Sequence, residues 1–260
     1  MKLTDTFSTA IGHADKLTLL HARLTTRNLR SIRSEWADRF FHARLTNWPK
    51  GSGLWRSKND TILLVGTADA ALSHLDFTSE ALLYLLRAAL VMSMAAIDKL
   101  LHEALSKHFV TLVKKGKLDD LLHLELSKSY RIAIESRVRK GKGGKIRSRP
   151  GHKLKAAVLD KLYQVSFLSL RHFQGICSAC GKDGIFDKYG RTMSPSQSSK
   201  QLHNRWSRLY MRRNHIAHEC DIMRKSKARK VHFHLITSTE LKKDIEFVKN
   251  FGLFLAKELE

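Results

Sequence analysis

Apolar residues recur three and four positions apart over most of this 260-residue chain, and strict alternation of apolar and polar residues is rare. Such spacing puts apolar side chains on one face of a helix, whereas alternation indicates strands. Prolines, which stop helices, occur only at positions 49, 150 and 195. The pattern predicts an all-α fold with helices over residues 5–46 (broken near residue 26), 61–75, 78–112, 118–127, 153–173, 196–219 and from 238 onwards.

Glycine and charge mark the places where these helices are interrupted. The run Pro49-Lys50-Gly51-Ser52-Gly53 closes an N-terminal helical extension, assigned to residues 1–58, and leaves a helical domain over residues 59–260. Within that domain we expect a basic loop over residues 137–155 and a cysteine-containing loop over residues 175–194. Residues 231–237 alternate and are predicted as either a short strand or an extended connector.

The most apolar stretch runs from Ala81 to Leu101 and is nearly long enough to cross a membrane. Arg87 and Asp98 interrupt it, so a buried helix is the better interpretation. Three cysteines do not form a disulfide framework, and the first twenty residues lack the charged-then-apolar pattern of a secretory signal. We therefore expect a cytoplasmic protein without a membrane partner, and its 43% apolar residues allow a sizeable core.

Positive charge is the strongest compositional feature. Lys and Arg number 47 against 24 Asp and Glu, a formal charge of +23, which predicts salt-sensitive binding to RNA, DNA or an acidic protein. Residues 137–155 hold nine Lys or Arg and no acid, and a second cluster spans residues 224–230. The alternative is that both clusters are solvated loops without a ligand. The candidate RNA-binding residues are Arg137, Arg139, Lys140, Lys142, Lys145, Arg147, Arg149, Arg224 and Lys225.

One short segment, RNHIAHE from Arg213 to Glu219, combines the groups that can cleave RNA without a metal. Arginine stays charged and can bind a phosphate with two parallel hydrogen bonds, while histidine exchanges protons near neutral pH. We assign His218 as general acid or base, and Arg213 to the charge that develops on the phosphate. Asn214 would orient the phosphate or the histidine. His215 is either a bystander or a phosphate contact.

The same Arg and His spacing also occurs at residues 147 and 152 and at residues 229 and 234, but only the pair at 213 and 218 lies well inside a predicted helix. Five residues of α-helix turn about 500°, which leaves Arg213 and His218 about 140° apart around the axis, while Asn214 and His218 share a face. One helix therefore presents half of a site. We expect a homodimer in which a second copy supplies the other half.

These residues resemble the active-site motif of the HEPN superfamily of ribonucleases, in which an arginine is followed by a polar residue and, after a short interval, by a histidine. An upstream stretch from Val91 to Glu103 has small residues followed by Asp98 and, four positions on, His102. It is similar to the upstream helix of the RiboL-PSP-type HEPN families, and the resemblance covers residues 60–260. Asp98 and His102 share a helix face, so they could support catalysis or form a structural hydrogen bond.

The resemblance implies a bundle of about four to five helices that dimerises and cleaves RNA internally without a metal or other cofactor. The products would be a 2′,3′-cyclic phosphate and a 5′-hydroxyl. Related domains serve as toxins of toxin–antitoxin systems or as antiviral defence effectors, so an antitoxin or a sensor protein would be a partner. The N-terminal extension and the two long loops depart from a minimal HEPN domain.

Two other functions remain open from the sequence. The chain could be a non-catalytic basic helical module that binds nucleic acid or a partner protein through its charge. Alternatively, Cys177 and Cys180 have the spacing of a zinc knuckle, as in a zinc-dependent DNA-binding regulator. Cys220 with a histidine, or the same pair of cysteines from another subunit, could complete the four ligands. The competing interpretation of these cysteines is two free thiols in a loop.

Overall fold

The computed structural model describes residues 2–25, 29–31, 53–57, 63–66, 74–114, 165–219, 221, 234 and 236–260. In this part of the chain six α-helices hold most of the residues, so the predicted helical class is confirmed in outline. The predicted helix at residues 118–127, the basic loop at residues 137–155 and the basic cluster at residues 224–230 lie outside the described residues, and so do all nine candidate RNA-binding residues.

The helices are α1 (Leu3–Leu24), α2 (Leu83–Lys114), α3 (Leu170–Ala179), α4 (Ile185–Thr192), α5 (Ser199–Glu219) and α6 (Ser238–Leu259). A 3-10 turn at His74–Phe77 precedes α2. Thr237 and Glu240 start α6 by a capping box: the backbone N–H of Thr237 donates to Glu240 Oε2 (2.9 Å), and that of Glu240 donates to Thr237 Oγ1 (3.1 Å). These two bonds satisfy donors that the first helical turn leaves free, which explains why the predicted start holds.

Three short strands depart from the all-helical prediction. They are β1 (Leu29–Ser31), β2 (Gly53–Ser57) and β3 (Leu63–Gly66), and they form an antiparallel sheet in the order β1-β2-β3. Leu29 pairs with Ser57, and Gly53 pairs with Gly66. The predicted helices over residues 5–46 and 61–75 are therefore wrong at the strands. A short apolar run that ends at a glycine fits a strand as well as a buried helix, so periodicity could not separate the two.

The chain forms two compact units that alternate along the sequence. The first comprises Met1–Ala10, Ser93–His215 and Phe247–Glu260, and the second comprises Ile11–Met92 and Ile216–Glu246. Four helices, α1, α2, α5 and α6, contribute residues to both units. This division differs from the sequence-based boundary between residues 58 and 59.

Aromatic rings form the core of the first unit around Phe251 of α6. The ring of Phe186 stacks on it at 5.2 Å and 10°, and those of Phe173 and Trp206 lie at 5.7 and 5.5 Å. The Trp206 indole N–H donates to the carbonyl of Leu168 at 2.8 Å, so the buried ring leaves no polar atom unmatched. These contacts join α3, α4, α5 and α6.

The apolar stretch from Ala81 to Leu101 is a buried helix, as predicted. It forms most of α2, and many of its side chains have no exposed surface, among them Leu86, Leu90, Met94, Ile97, Leu100 and Leu101. Among the helices of the described residues, none combines the length and the apolar character that a membrane span requires.

The predicted cysteine-containing loop over residues 175–194 is mostly helical, which corrects the prediction. Its first residues complete α3, and Ile185–Thr192 form α4, with Ile185, Phe186 and Tyr189 buried. Gly181 (φ +76°) and Gly184 (φ +66°) make the turns on either side of the break, because both adopt left-handed backbone that glycine tolerates best. The predicted helix over residues 153–173 is also wrong in part, since residues 165–169 are not helical.

Candidate functional site

Helix α5 carries the RNHIAHE motif in its last two turns. Leu202, Trp206 and Leu209, spaced four and three apart, form the fully buried stripe of this helix. After Leu209 every residue up to Glu219 is half-buried or exposed. The first half of α5 is therefore held in the core, and the motif lies on the less covered half.

Arg213 is half-buried and lies on the same helix face as the buried stripe, because it follows Leu209 by four residues. Its Nη1 donates to the side-chain oxygen of Asn214 at 3.0 Å. Its Nε–H is enclosed and has no hydrogen-bond partner among the described residues. An enclosed donor on a charged group is costly to leave unmatched.

Asn214 is half-buried and holds the guanidinium of Arg213 through its Oδ1. The sequence predicted that this amide would orient the phosphate or the histidine. In the structure the amide orients the arginine, which fixes one edge of the guanidinium. A guanidinium that is already held in place loses less conformational entropy on binding a phosphate than a freely rotating one does.

His218 is exposed and lies one residue before the end of α5, whereas His215 is half-buried. A solvent-exposed imidazole can reach an incoming polymer without rearrangement of the core. Exposure alone is common among surface histidines, so the role of His218 as acid or base stays a prediction.

Asp98 and His102 lie together in the first unit, where they hold the segment that enters α3. The Asp98 carboxylate accepts the backbone N–H of Phe167 at 2.7 Å, and His102 Nε2 lies 3.9 Å from the same oxygen. The His102 ring packs on the Phe167 ring at 4.4 Å. Burial lowers the pKa of His102, although the nearby Asp98 carboxylate opposes this effect. Through these contacts Asp98 and His102 hold Phe167 in place, and a role of the pair in catalysis stays a prediction.

The segment at Phe167 and Leu168 connects α2 to the motif helix. Phe167 is bonded to Asp98 of α2, and the Leu168 carbonyl accepts the indole N–H of Trp206 of α5. The upstream stretch and the motif helix are thus linked through two consecutive residues. The sequence signalled the helices but not this link, because a backbone segment carries no side-chain pattern.

The second unit contains a buried ion pair that was not predicted from the sequence. Asp221 lies two residues beyond α5, has no exposed surface and adopts a left-handed conformation (φ 61°). Its Oδ2 accepts the Nε–H of Arg87 of α2 at 2.6 Å, and its carbonyl accepts the backbone N–H of His234 at 2.9 Å. The signal in the sequence was Arg87 itself, a charge within an apolar helix, because a buried charge needs a partner.

The two cysteines of the proposed zinc knuckle lie at the end of α3, and zinc binding by them stays a prediction. Cys177 is buried in α3, and Cys180 follows the end of that helix; both are free thiols. Burial raises the pKa of Cys177 well above its usual range and that of Cys180 to about 11. Among the described residues no group of three or more His, Cys, Asp or Glu could share a metal ion. Cys220 lies outside those residues.

Comparison with protein-family models, with curated proteins and with solved structures finds no match for this chain.

Proposed function

We propose that the chain is a metal-independent endoribonuclease of the HEPN kind. The observation that carries the proposal is the guanidinium of Arg213, which Asn214 holds and whose enclosed Nε–H has no partner among the described residues. An exposed histidine, His218, follows on the same helix. The formal charge of +23 supports a polyanionic substrate.

In the proposed reaction His218 takes the proton of a ribose 2′-hydroxyl, and the 2′-oxygen attacks the adjacent phosphorus. The bond between phosphorus and the 5′-oxygen breaks, and that oxygen receives a proton from the partner subunit's His218. Arg213 stabilises the negative charge on the phosphate oxygens in the transition state. The products are a 2′,3′-cyclic phosphate and a 5′-hydroxyl.

The proposal includes a homodimer, because one helix offers the arginine and the histidine about 140° apart. Two copies of α5 across a two-fold axis would supply both groups to each scissile phosphate. The basic clusters at residues 137–155 and 224–230 would guide the RNA. The cellular role implied by the resemblance is that of a toxin or an antiviral defence effector restrained by an antitoxin or a sensor.

The test is RNA cleavage in excess EDTA by the wild-type protein and by Arg213→Ala and His218→Ala. We expect wild-type cleavage with cyclic phosphate ends and a loss of about 100-fold or more in each variant, the usual contribution of an acid–base group. Arg208→Ala, an exposed arginine of the same helix, and His13→Ala, an exposed histidine of α1, are matched controls that should keep full activity. Thermal melting checks that every variant is folded.

Three results would contradict the proposal. Equal cleavage by wild type and both site variants would assign the activity to another site or to a contaminant. Binding of many RNAs without cleavage would favour the non-catalytic basic module. Metal-dependent DNA binding would favour the zinc-dependent regulator.

A further inference from the structure

Helices α1 and α6 meet in both units, but the chemistry of the contact differs. In the first unit the backbone N–H and the hydroxyl of Thr4 donate to Glu260 Oε1 at 3.2 and 2.9 Å, and the Phe7 ring packs against Gly252. In the second unit His21 of α1 is close enough to Lys242 of α6 for the ammonium charge to act on the imidazole. The second contact therefore contains a titratable group.

His21 occupies a position of α1 that usually holds an apolar residue. Phe7, Ile11 and Ala14 form the buried stripe of this helix, and His21 continues it seven residues after Ala14. Only 1% of its surface is exposed. Neither of its ring nitrogens has a hydrogen-bond partner among the described residues. A neutral imidazole is already costly to bury in this way, and a charged one costs far more.

The surroundings of His21 oppose a proton on the ring. Burial is the largest effect and lowers the pKa of His21, the ammonium of Lys242 lowers it further, and the backbone of Ser79, in the turn before α2, acts in the opposite direction. Of the described residues that act on this pKa, none is a carboxylate. The side chains one turn away on α1 are also uncharged: Leu17, Thr18, Leu24 and Thr25.

His102 of the first unit provides a contrast within the same chain. It is 7% exposed, and burial lowers its pKa too. However, Asp98 Oδ1 lies 3.9 Å from its Nε2, and this carboxylate raises the pKa. A proton on His102 would thus have an anionic partner. His21 has a cation in the corresponding place.

We infer that His21 is an acid-sensitive switch, which keeps the end of α1 packed against α6 while its ring is neutral and releases it when the ring binds a proton. An opened segment takes up this proton below about pH 6.5, whereas the closed one resists it. The closed state is therefore fully favoured above about pH 6.5, and each pH unit below it shifts the equilibrium towards the open state by up to about tenfold. This inference is independent of the proposed function.

The test is hydrogen–deuterium exchange of the full chain, followed by mass spectrometry at pH 7.5 and 5.5 and corrected for the intrinsic exchange rate. We expect the protection of residues 17–24 to fall about tenfold between the two pH values. Residues 247–259, the part of α6 in the first unit, should change by less than about twofold. They have no contact with His21 to lose.

Three variants assign the effect to His21. His21→Phe keeps a ring of similar size that cannot bind a proton, so the acid-induced loss should shrink to about twofold or less. Lys242→Gln removes an exposed cation, which raises the pKa of His21 towards its ordinary value and should reduce the loss to about threefold. His13→Phe, an exposed histidine of the same helix, is the matched control and should keep the wild-type loss.

An equal acid-induced loss in the wild type and in His21→Phe would overturn the inference, and so would a wild type whose residues 17–24 stay protected at pH 5.5. If His21→Phe does not fold, Lys242→Gln decides, because its substitution is at the surface. A loss in Lys242→Gln that equals or exceeds that of the wild type would then refute the switch.

Discussion

The ion pair between Arg87 and Asp221 should stabilise the second unit strongly, and Asp221→Asn tests this. Asparagine has nearly the same size and also tolerates the left-handed backbone at this position, so the substitution removes the charge with little added strain. Removing one partner of a fully buried pair costs about 3–5 kcal/mol. The Arg87 side chain keeps 18% of its surface exposed and Asp221 keeps 0%, so partial solvation of the arginine lowers our estimate to about 2–3 kcal/mol.

The assay is urea unfolding of wild type, Asp221→Asn, Arg87→Met and the double variant, followed by both circular dichroism and tryptophan fluorescence. The double-mutant cycle should give a coupling free energy of about 2 kcal/mol. The exposed pair of Lys99 and Glu103 provides the control. Lys99 Nζ lies 3.3 Å from Glu103 Oε1, and the two side chains are 51% and 36% exposed. Glu103→Gln should cost less than about 1 kcal/mol. If Asp221→Asn costs no more than Glu103→Gln, the assumption that burial makes this pair strong is refuted.

Three further predictions follow from other parts of the chain. Gly252→Ala should lower the free energy of unfolding by about 1–3 kcal/mol, because the added Cβ would overlap the Phe7 ring. Gly12→Ala should be neutral or stabilising, because a Cβ there meets no atom within 4 Å, and equal effects of the two substitutions would contradict this packing. Burial raises the pKa of Cys180 to about 11, so at pH 8 this thiol should react with iodoacetamide roughly 100-fold more slowly than a solvent-exposed cysteine of ordinary pKa. The reaction should become faster as the pH rises towards 11. Peptide mass spectrometry that finds an ordinary rate at pH 8 would refute this. Binding of single-stranded RNA should weaken with salt along a log–log slope of about −3 or steeper, and a slope near zero would exclude the charge of +23 as its cause.

The long helices could be predicted from the sequence because each has its own internal signal. In α5 the apolar stripe at Leu202, Trp206 and Leu209 has helical spacing, and the start of α6 has a capping box. These signals are local, so no knowledge of distant residues is needed. The short elements lack them: β3 has only four residues and α4 only eight, lengths at which periodicity cannot separate a strand, a helix and a loop.

The contacts between residues far apart in the chain were less predictable than the motif. Arg87 showed that a buried charge would need a partner, but 24 acidic residues could have supplied it. The partner, Asp221, lies 134 positions away, and only the fold brings the two together. Asp98 was noticed as a neighbour of His102, yet its carboxylate accepts a hydrogen bond of 2.7 Å from the backbone N–H of Phe167, which no side-chain pattern reveals.

Buried contacts occur in the chain both before and after the motif. Before the motif, Trp206 and Leu209 are buried in the first unit, and the indole is tied to Leu168. Beyond the motif, Asp221 is buried in the second unit and paired with Arg87. A catalytic group must be held within a few tenths of an ångström of its working position, and groups on a helix meet this requirement better than groups on a loop. After Leu209 the residues of α5 are half-buried or exposed, so the motif lies on the less covered part of this helix.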